Sequence, residues 1–104
     1  LKTLLFFIVL LLSVPAFAWD GQIYGKIQDI EVTGGGNYGF RVTLEGSPSM
    51  CGNANAWAFL NDTDSNYQTY VSVLLAAKAA KMSVTIFSVR RVDGYCHIGH
   101  IRVN

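Results

Sequence analysis

Residues 66–89, NYQTYVSVLLAAKAAKMSVTIFSV, hold the one convincing helix signal of the chain and the change of period that ends it. From Asn66 to Lys81 there is no Gly or Pro, there are four alanines, and a stripe recurs at Tyr67, Tyr70, Val71, Leu74, Ala77 and Lys78. Lys78 and Lys81 stand where a cation complements the helix dipole. Met82 to Val89 then alternates, with Val84 and Ile86 on one parity and Thr85, Phe87 and Val89 on the other, which reads as a strand.

Upstream the pattern is all strand. Ile23 to Val32 is rich in β-branched residues, but Ile23 and Ile27 share one parity and Ile30 and Val32 the other. A bulge near Gln28 or Asp29 would return both sets to one core. Gly34-Gly35-Gly36-Asn37 supplies a turn, and Tyr38 to Glu45 follows with Phe40, Val42 and Leu44 on one face, so the two segments are expected to pair as a hairpin. Ala56 to Leu60 (AWAFL) reads as a third strand, with Trp57 between two alanines and expected in the core. Downstream, Asp93-Gly94 is a hairpin turn and Cys96 to Val103 the last strand. The order β-β-β-α-β-β predicts a mainly β fold, a small five-stranded OB-fold-like barrel with one helix. A two-layer α+β sheet of another topology satisfies the same string.

The chain opens with LKTLLFFIVLLLSVPAFA, residues 1–18: a cation at Lys2, an apolar run from Leu4 to Val14, and Ala16-Phe17-Ala18 as a small-x-small cleavage pattern. It is expected to be a secretory signal peptide, too short to serve as a membrane anchor. Removing 18 of 104 residues leaves 86, a single domain over 19–104. Lys2 is the leader's only charge, so seven basic residues face seven acids in the mature chain. A balanced surface disfavours nucleic acid, and no membrane association is expected after cleavage. The protein is expected to be secreted or periplasmic. Two cysteines in an exported domain, Cys51 and Cys96, are expected to form an intramolecular disulfide. Closing that loop is worth about 4 kcal/mol in the chain-entropy account.

Tyr70 to Phe87, preceded by Cys51 and Trp57 and followed by Cys96 and Ile98, resembles a group of small exported bacterial proteins. They share a Trp-containing strand, a helix ending in LLAAKAxGK, a β-branched strand, and a cysteine before a final I-x-x-I strand. That pattern is in turn similar to the B subunits of bacterial AB toxins of the pertussis and subtilase-cytotoxin type. The resemblance implies an OB-fold, assembly into rings and binding of cell-surface glycans. In one respect the chain departs from it: Lys81 stands where the pattern has glycine after the helix. If a left-handed helix cap is kept there, it costs about 1 kcal/mol.

Candidate chemistry is sparse. His97 and His100, three apart on a strand, are expected to project to opposite faces, and with both cysteines in a disulfide no metal site is expected. Asn61-Asp62-Thr63-Asp64-Ser65 lacks the glycine and glutamate of a calcium loop and reads as helix capping. No nucleophile elbow or comparable pattern supports catalysis, and neither enzymatic activity nor a cofactor is expected. Aromatic rings are the richer resource, since they stack on sugars while their polar tips hydrogen-bond. Tyr38 with Asn37, and Tyr95 with His97, are the candidate ligand-binding pairs, on loops or strand ends. The breadth of the apolar helix surface points to a second contact at Val73, Ala76 and Ala80, the candidate oligomer residues. The expected function is that of an exported, non-enzymatic binding domain, glycan-recognising and oligomeric like the toxin B subunits. The alternative is a structural or inhibitory protein whose partner is another protein.

Overall fold

The computed structural model describes residues 18–35 and 38–104. Residues 1–17 of the expected leader, and Gly36 and the candidate Asn37, lie outside the described residues. Strands β1 (Gly21–Val32), β2 (Phe40–Leu44) and β3 (Ala58–Leu60) precede the helix α1 (Tyr67–Ala79), and β4 (Ser83–Arg90) and β5 (Cys96–Val103) follow it. Strand β1 pairs antiparallel with both β2 and β4, β3 runs antiparallel to β2 and parallel to β5, and β5 is antiparallel to β4. The ring closes as a barrel in the order β1-β2-β3-β5-β4, a small five-stranded OB-fold-like barrel with one helix, which sets aside the open α+β sheet.

One long strand makes closure possible. The first half of β1, Gly21 to Lys26, pairs with β4, and its second half, Ile27 to Val32, pairs with β2. Its register slips between Ile27 and Asp29, where the sequence changes phase, so Ile27 is buried and Ile30 still packs against the core. Phe40, Val42 and Leu44 of β2, Ala58 and Leu60 of β3, Val84 and Ile86 of β4, and Cys96 and Ile98 of β5 fill the interior.

Helix α1 lies against β1 and β5. Leu74 and Ala77 are buried in the core, with Tyr67, Tyr70 and Val71 packed beside them. Leu75, Ala76 and Ala80 face outward. The helix stops at Ala79, two residues short of the predicted Lys81. Lys81 has φ 58°, its amide donates to the Lys78 carbonyl at 3.1 Å, and the Met82 amide donates to the Ala77 carbonyl at 2.9 Å. That pairing is a Schellman motif, which needs a left-handed residue at the lysine's position.

Cys51 and Cys96 form the expected disulfide, and both are fully buried. It ties the loop ahead of β3 to the first residue of β5. Ser88 Oγ donates to the Met50 carbonyl and Arg90 Nη1 to the Cys51 carbonyl, both at 2.7 Å, so the same loop is also fastened to β4. Strand β3 is shorter than predicted, beginning at Ala58 rather than Ala56. Trp57 therefore stands before the strand and, with Ala58 and Leu60 turned inward, outside the barrel; the expectation that it is a core residue is corrected by this parity.

Because Lys81 holds a left-handed conformation that glycine adopts freely, Lys81→Gly is expected to stabilise the domain by about 1 kcal/mol. Urea unfolding of the two proteins, read at constant slope, checks the shift in midpoint.

Candidate functional site

Strand parity builds a second layer on the outside of the barrel. With Ala58 and Leu60 inward, Phe59 faces out, and the register aligns Glu31, Arg41, Phe59, His97 and Val89 in one row across β1, β2, β3, β5 and β4. Phe59 has no exposed surface although it is outside the core cluster. Other rings cover it. The imidazole of His97 lies flat on it, with centroids 4.7 Å apart and planes 2° from parallel, and Tyr38 meets it edge-on at 4.6 Å. Tyr95 packs against Tyr38 and Trp57, each at 4.8 Å, and the Arg41 guanidinium sits 4.4 Å above the Trp57 ring.

Tyr38 is the keystone of this layer. Its φ of 55° is an uncommon conformation for an aromatic residue, costing about 1–2 kcal/mol, so its neighbours must hold it there. Three tethers do so. The Tyr38 amide donates to Asn61 Oδ1 at 2.6 Å, its carbonyl accepts from Arg41 Nε at 3.1 Å, and its phenol donates to Asp93 Oδ2. The phenol bond raises the Tyr38 pKa above the ordinary tyrosine value. The same bond, helped by the Tyr95 amide, holds the Asp93 carboxyl below the usual carboxylate value.

At the other edge His97 Nε2 is 2.7 Å from Asp64 Oδ2, and Nδ1 is 3.1 Å from Arg91 Nη1. Asp64 Oδ2 also accepts from the Asn61 amide at 2.8 Å, so the loop before α1 is joined to both ends of the aromatic layer. What results is a half-exposed set of rings bordered by two guanidiniums, two carboxylates and an imidazole. Such a surface can stack on a flat apolar face and satisfy hydroxyls around it.

Three of the four predicted ligand-site residues, Tyr38, Tyr95 and His97, converge here; Asn37 lies outside the described residues. Tyr38 is half-buried, wedged among rings. Sequence reasoning missed Trp57, Arg41, Asp93 and Asp64. The alternation of AWAFL held the signal for Trp57, since small Ala58 and large Leu60 share the inward parity.

Two further expectations are corrected. Helix α1 has no side-chain cap: Asn66 occupies the cap position with φ 62°, while the Asp64 carboxylate, expected to serve as a cap, is engaged by His97 and the Asn61 amide. His97 and His100 do not face opposite sides. Phe87 pairs with His100 and Ser88 with Ile98, so Gly99 is an extra residue that resets the parity, and both imidazoles point outward. A Cβ on Gly99 would lie 2.5 Å from the Trp19 ring, which packs there beside Phe87 and His100. Among the described residues no group of three or more His, Cys, Asp or Glu could hold a metal ion.

On the helix side, Val73 lines a groove of about 290 Å³ with Asn66, Thr69, Tyr70, His100 and Ile101, while Ala76 and Ala80 are exposed. Burial and the Asp64 charge raise the Tyr70 phenol above its ordinary pKa. No known protein family, curated protein or solved structure matches the chain.

The Tyr38–Asp93 bond contributes stability above the ordinary carboxylate range and loses it as pH falls through the lowered Asp93 value. Tyr38→Phe keeps the ring and removes the donor, so the Asp93 pKa is expected to rise toward the ordinary value near 4. Carboxyl carbon NMR across an acid titration reads it directly.

Proposed function

We propose that the chain is an exported, non-enzymatic binding domain that takes glycans on the outer aromatic layer around Tyr38, Trp57 and Tyr95. The observation that carries this reading is the left-handed Tyr38, held by three tethers so that its ring completes a polar-edged platform. Strained residues of this kind cluster at functional sites. Placement supports it too. Arg41 lies on β2, Trp57 and Phe59 at β3, Tyr38 in the β1–β2 loop, and Asp93 and Tyr95 in the β4–β5 turn; in OB-folds these strands and loops bind oligonucleotides and oligosaccharides. The balanced charge of residues 19–104 favours the saccharide class. Sugar hydroxyls would find donors on Arg41 and acceptors on Asp93 and Asp64.

Export is part of the proposal, and the buried disulfide fits an oxidising compartment. Among the described residues no helix is long and apolar enough to cross a membrane. Assembly into a homo-oligomer through Val73, Ala76 and Ala80 is supported by the outward helix face, where Leu75 is 49% exposed and both alanines are exposed. Light scattering is expected to give a mass above one chain at micromolar concentration, and a monomer there removes the assembly.

A protein partner is the second reading. The fully exposed Val92 and the part-exposed Val89 give the β4–β5 turn an apolar rim beside the aromatic layer, which a protein surface could bury.

A glycan array probed with wild type, Tyr95→Ala and Trp57→Ala tests the site. At least one substitution is expected to weaken the best wild-type interaction about tenfold, near 1.4 kcal/mol, with far-ultraviolet dichroism unchanged. Affinity that survives both changes contradicts the site. A wild type silent across a broad array contradicts the glycan and leaves the protein partner.

A further inference from the structure

We propose that His97 is an acid-sensitive latch that holds the β4–β5 turn, and with it Tyr95 and Asp93, in the closed arrangement of the aromatic face. The latch's use in releasing a ligand rests on the reading of this face as a binding site; its mechanics do not.

The hydrogen-bond chemistry assigns the protons. A guanidinium can only donate, so Nδ1 of His97, 3.1 Å from Arg91 Nη1, must accept. A carboxylate can only accept, so Nε2, 2.7 Å from Asp64 Oδ2, must carry the hydrogen. The neutral imidazole with its proton on Nε2 satisfies both neighbours at once. A second proton has only Nδ1 to occupy, and there it sets one N–H against another and one positive charge against another. The Arg91 bond is then lost. The Asp64 bond survives and becomes charge-assisted, so the imidazolium stays seated on Phe59 while the arginine leaves.

Each element around the ring is accounted for. Strand β3 presents Phe59 and β4 presents Val89, which do not titrate. Asp64 comes from the loop before α1 and Arg91 from the turn; Arg41 on β2 stands beyond Phe59 in the same row. Asp93 and Tyr38, bonded to each other, border the layer beyond the ring.

Arg91 opens the turn that carries the platform. Its amide donates to the Tyr95 carbonyl and its carbonyl accepts from the Gly94 amide, both at 2.9 Å, while the Tyr95 amide donates to Asp93 Oδ1 at 3.0 Å. Releasing the Arg91 side chain frees one anchor of residues 91–95. The Tyr38–Asp93 bond, with its carboxyl held below the ordinary carboxylate value, is the later of the two to respond to acid, so the two responses are separable.

The test needs no ligand. Nitrogen-15 spectra and hydrogen exchange of the domain are recorded from pH 8 to pH 5 for wild type and His97→Gln. In wild type the Gly94 and Tyr95 amides are expected to shift with the midpoint of the His97 ring protons and to lose protection, corrected for intrinsic exchange, by roughly tenfold. In His97→Gln both amides stay level with pH. Arg91→Gln, which leaves His97 in place, is expected to give the low protection already at pH 8. Turn amides that stay fixed while His97 titrates, or that move equally in His97→Gln, overturn the latch. A failed glycan array leaves this outcome untouched.

Discussion

Strand β3 has three residues with which to close the barrel, and only Ala58 and Phe59 align with β5. A parallel contact that short supplies few backbone hydrogen bonds, so closure depends on what reinforces it. The reinforcement is the Cys51–Cys96 disulfide, which spans 45 residues of sequence and ends on the very residue that pairs with Ala58. In the chain-entropy account such a crosslink contributes about 4 kcal/mol by restricting the unfolded chain, a large share of the stability of a small domain. The seam thus draws much of its strength from covalent chemistry, and the inward Ala58 and Leu60 complete the core behind it.

The proposed binding face is built on the outer side of that seam. Closing β3 onto β5 brings Phe59 beside His97, and pairing it with β2 brings Arg41 alongside; without closure the row does not exist. Phe59 then acts as a floor for His97 and Tyr38 and gives the outside of the barrel a small apolar layer of its own. Edge-to-face and stacked pairs contribute roughly 0.5–1.5 kcal/mol each beyond burial. Several such pairs, with the tethers on Tyr38, offset the 1–2 kcal/mol that its left-handed backbone costs. The layer is seated on the barrel through Phe59 and fastened at the β4–β5 turn by the Arg91–His97 and Tyr38–Asp93 hydrogen bonds.

Much of this was legible in the sequence. Period and turn residues placed the six elements, the phase slip in residues 23–32 marked the β1 bulge, and export logic paired the cysteines. The helix was predicted two residues too long, because Lys81 takes the left-handed position that ends it without being the glycine that would have marked the stop. The convergence of Tyr38, Trp57 and Tyr95 was not legible, since the outer two are 57 positions apart and only the closed register brings them together. Trp57 misled because apolar neighbours do not reveal which face of a strand a ring takes. The role of Asp64 was hidden for a related reason: an acid just before a helix reads as a cap until a histidine from a distant strand is seen to engage it. The bulge at Gly99 inverted the relation of the two histidines, and no alternation rule signals such an extra residue; the Trp19 ring packed there leaves no room for a side chain at that position.

The most direct test of the central claim, that the outer face of the closing seam is where the domain binds, is amide and indole shift mapping of wild type with the strongest binder from a glycan array. The account predicts that the largest changes fall on Tyr38, Arg41, the Trp57 indole and Tyr95. Changes concentrated instead on Asn66, Thr69, Tyr70 and His100, in the groove between α1 and β5, would contradict it.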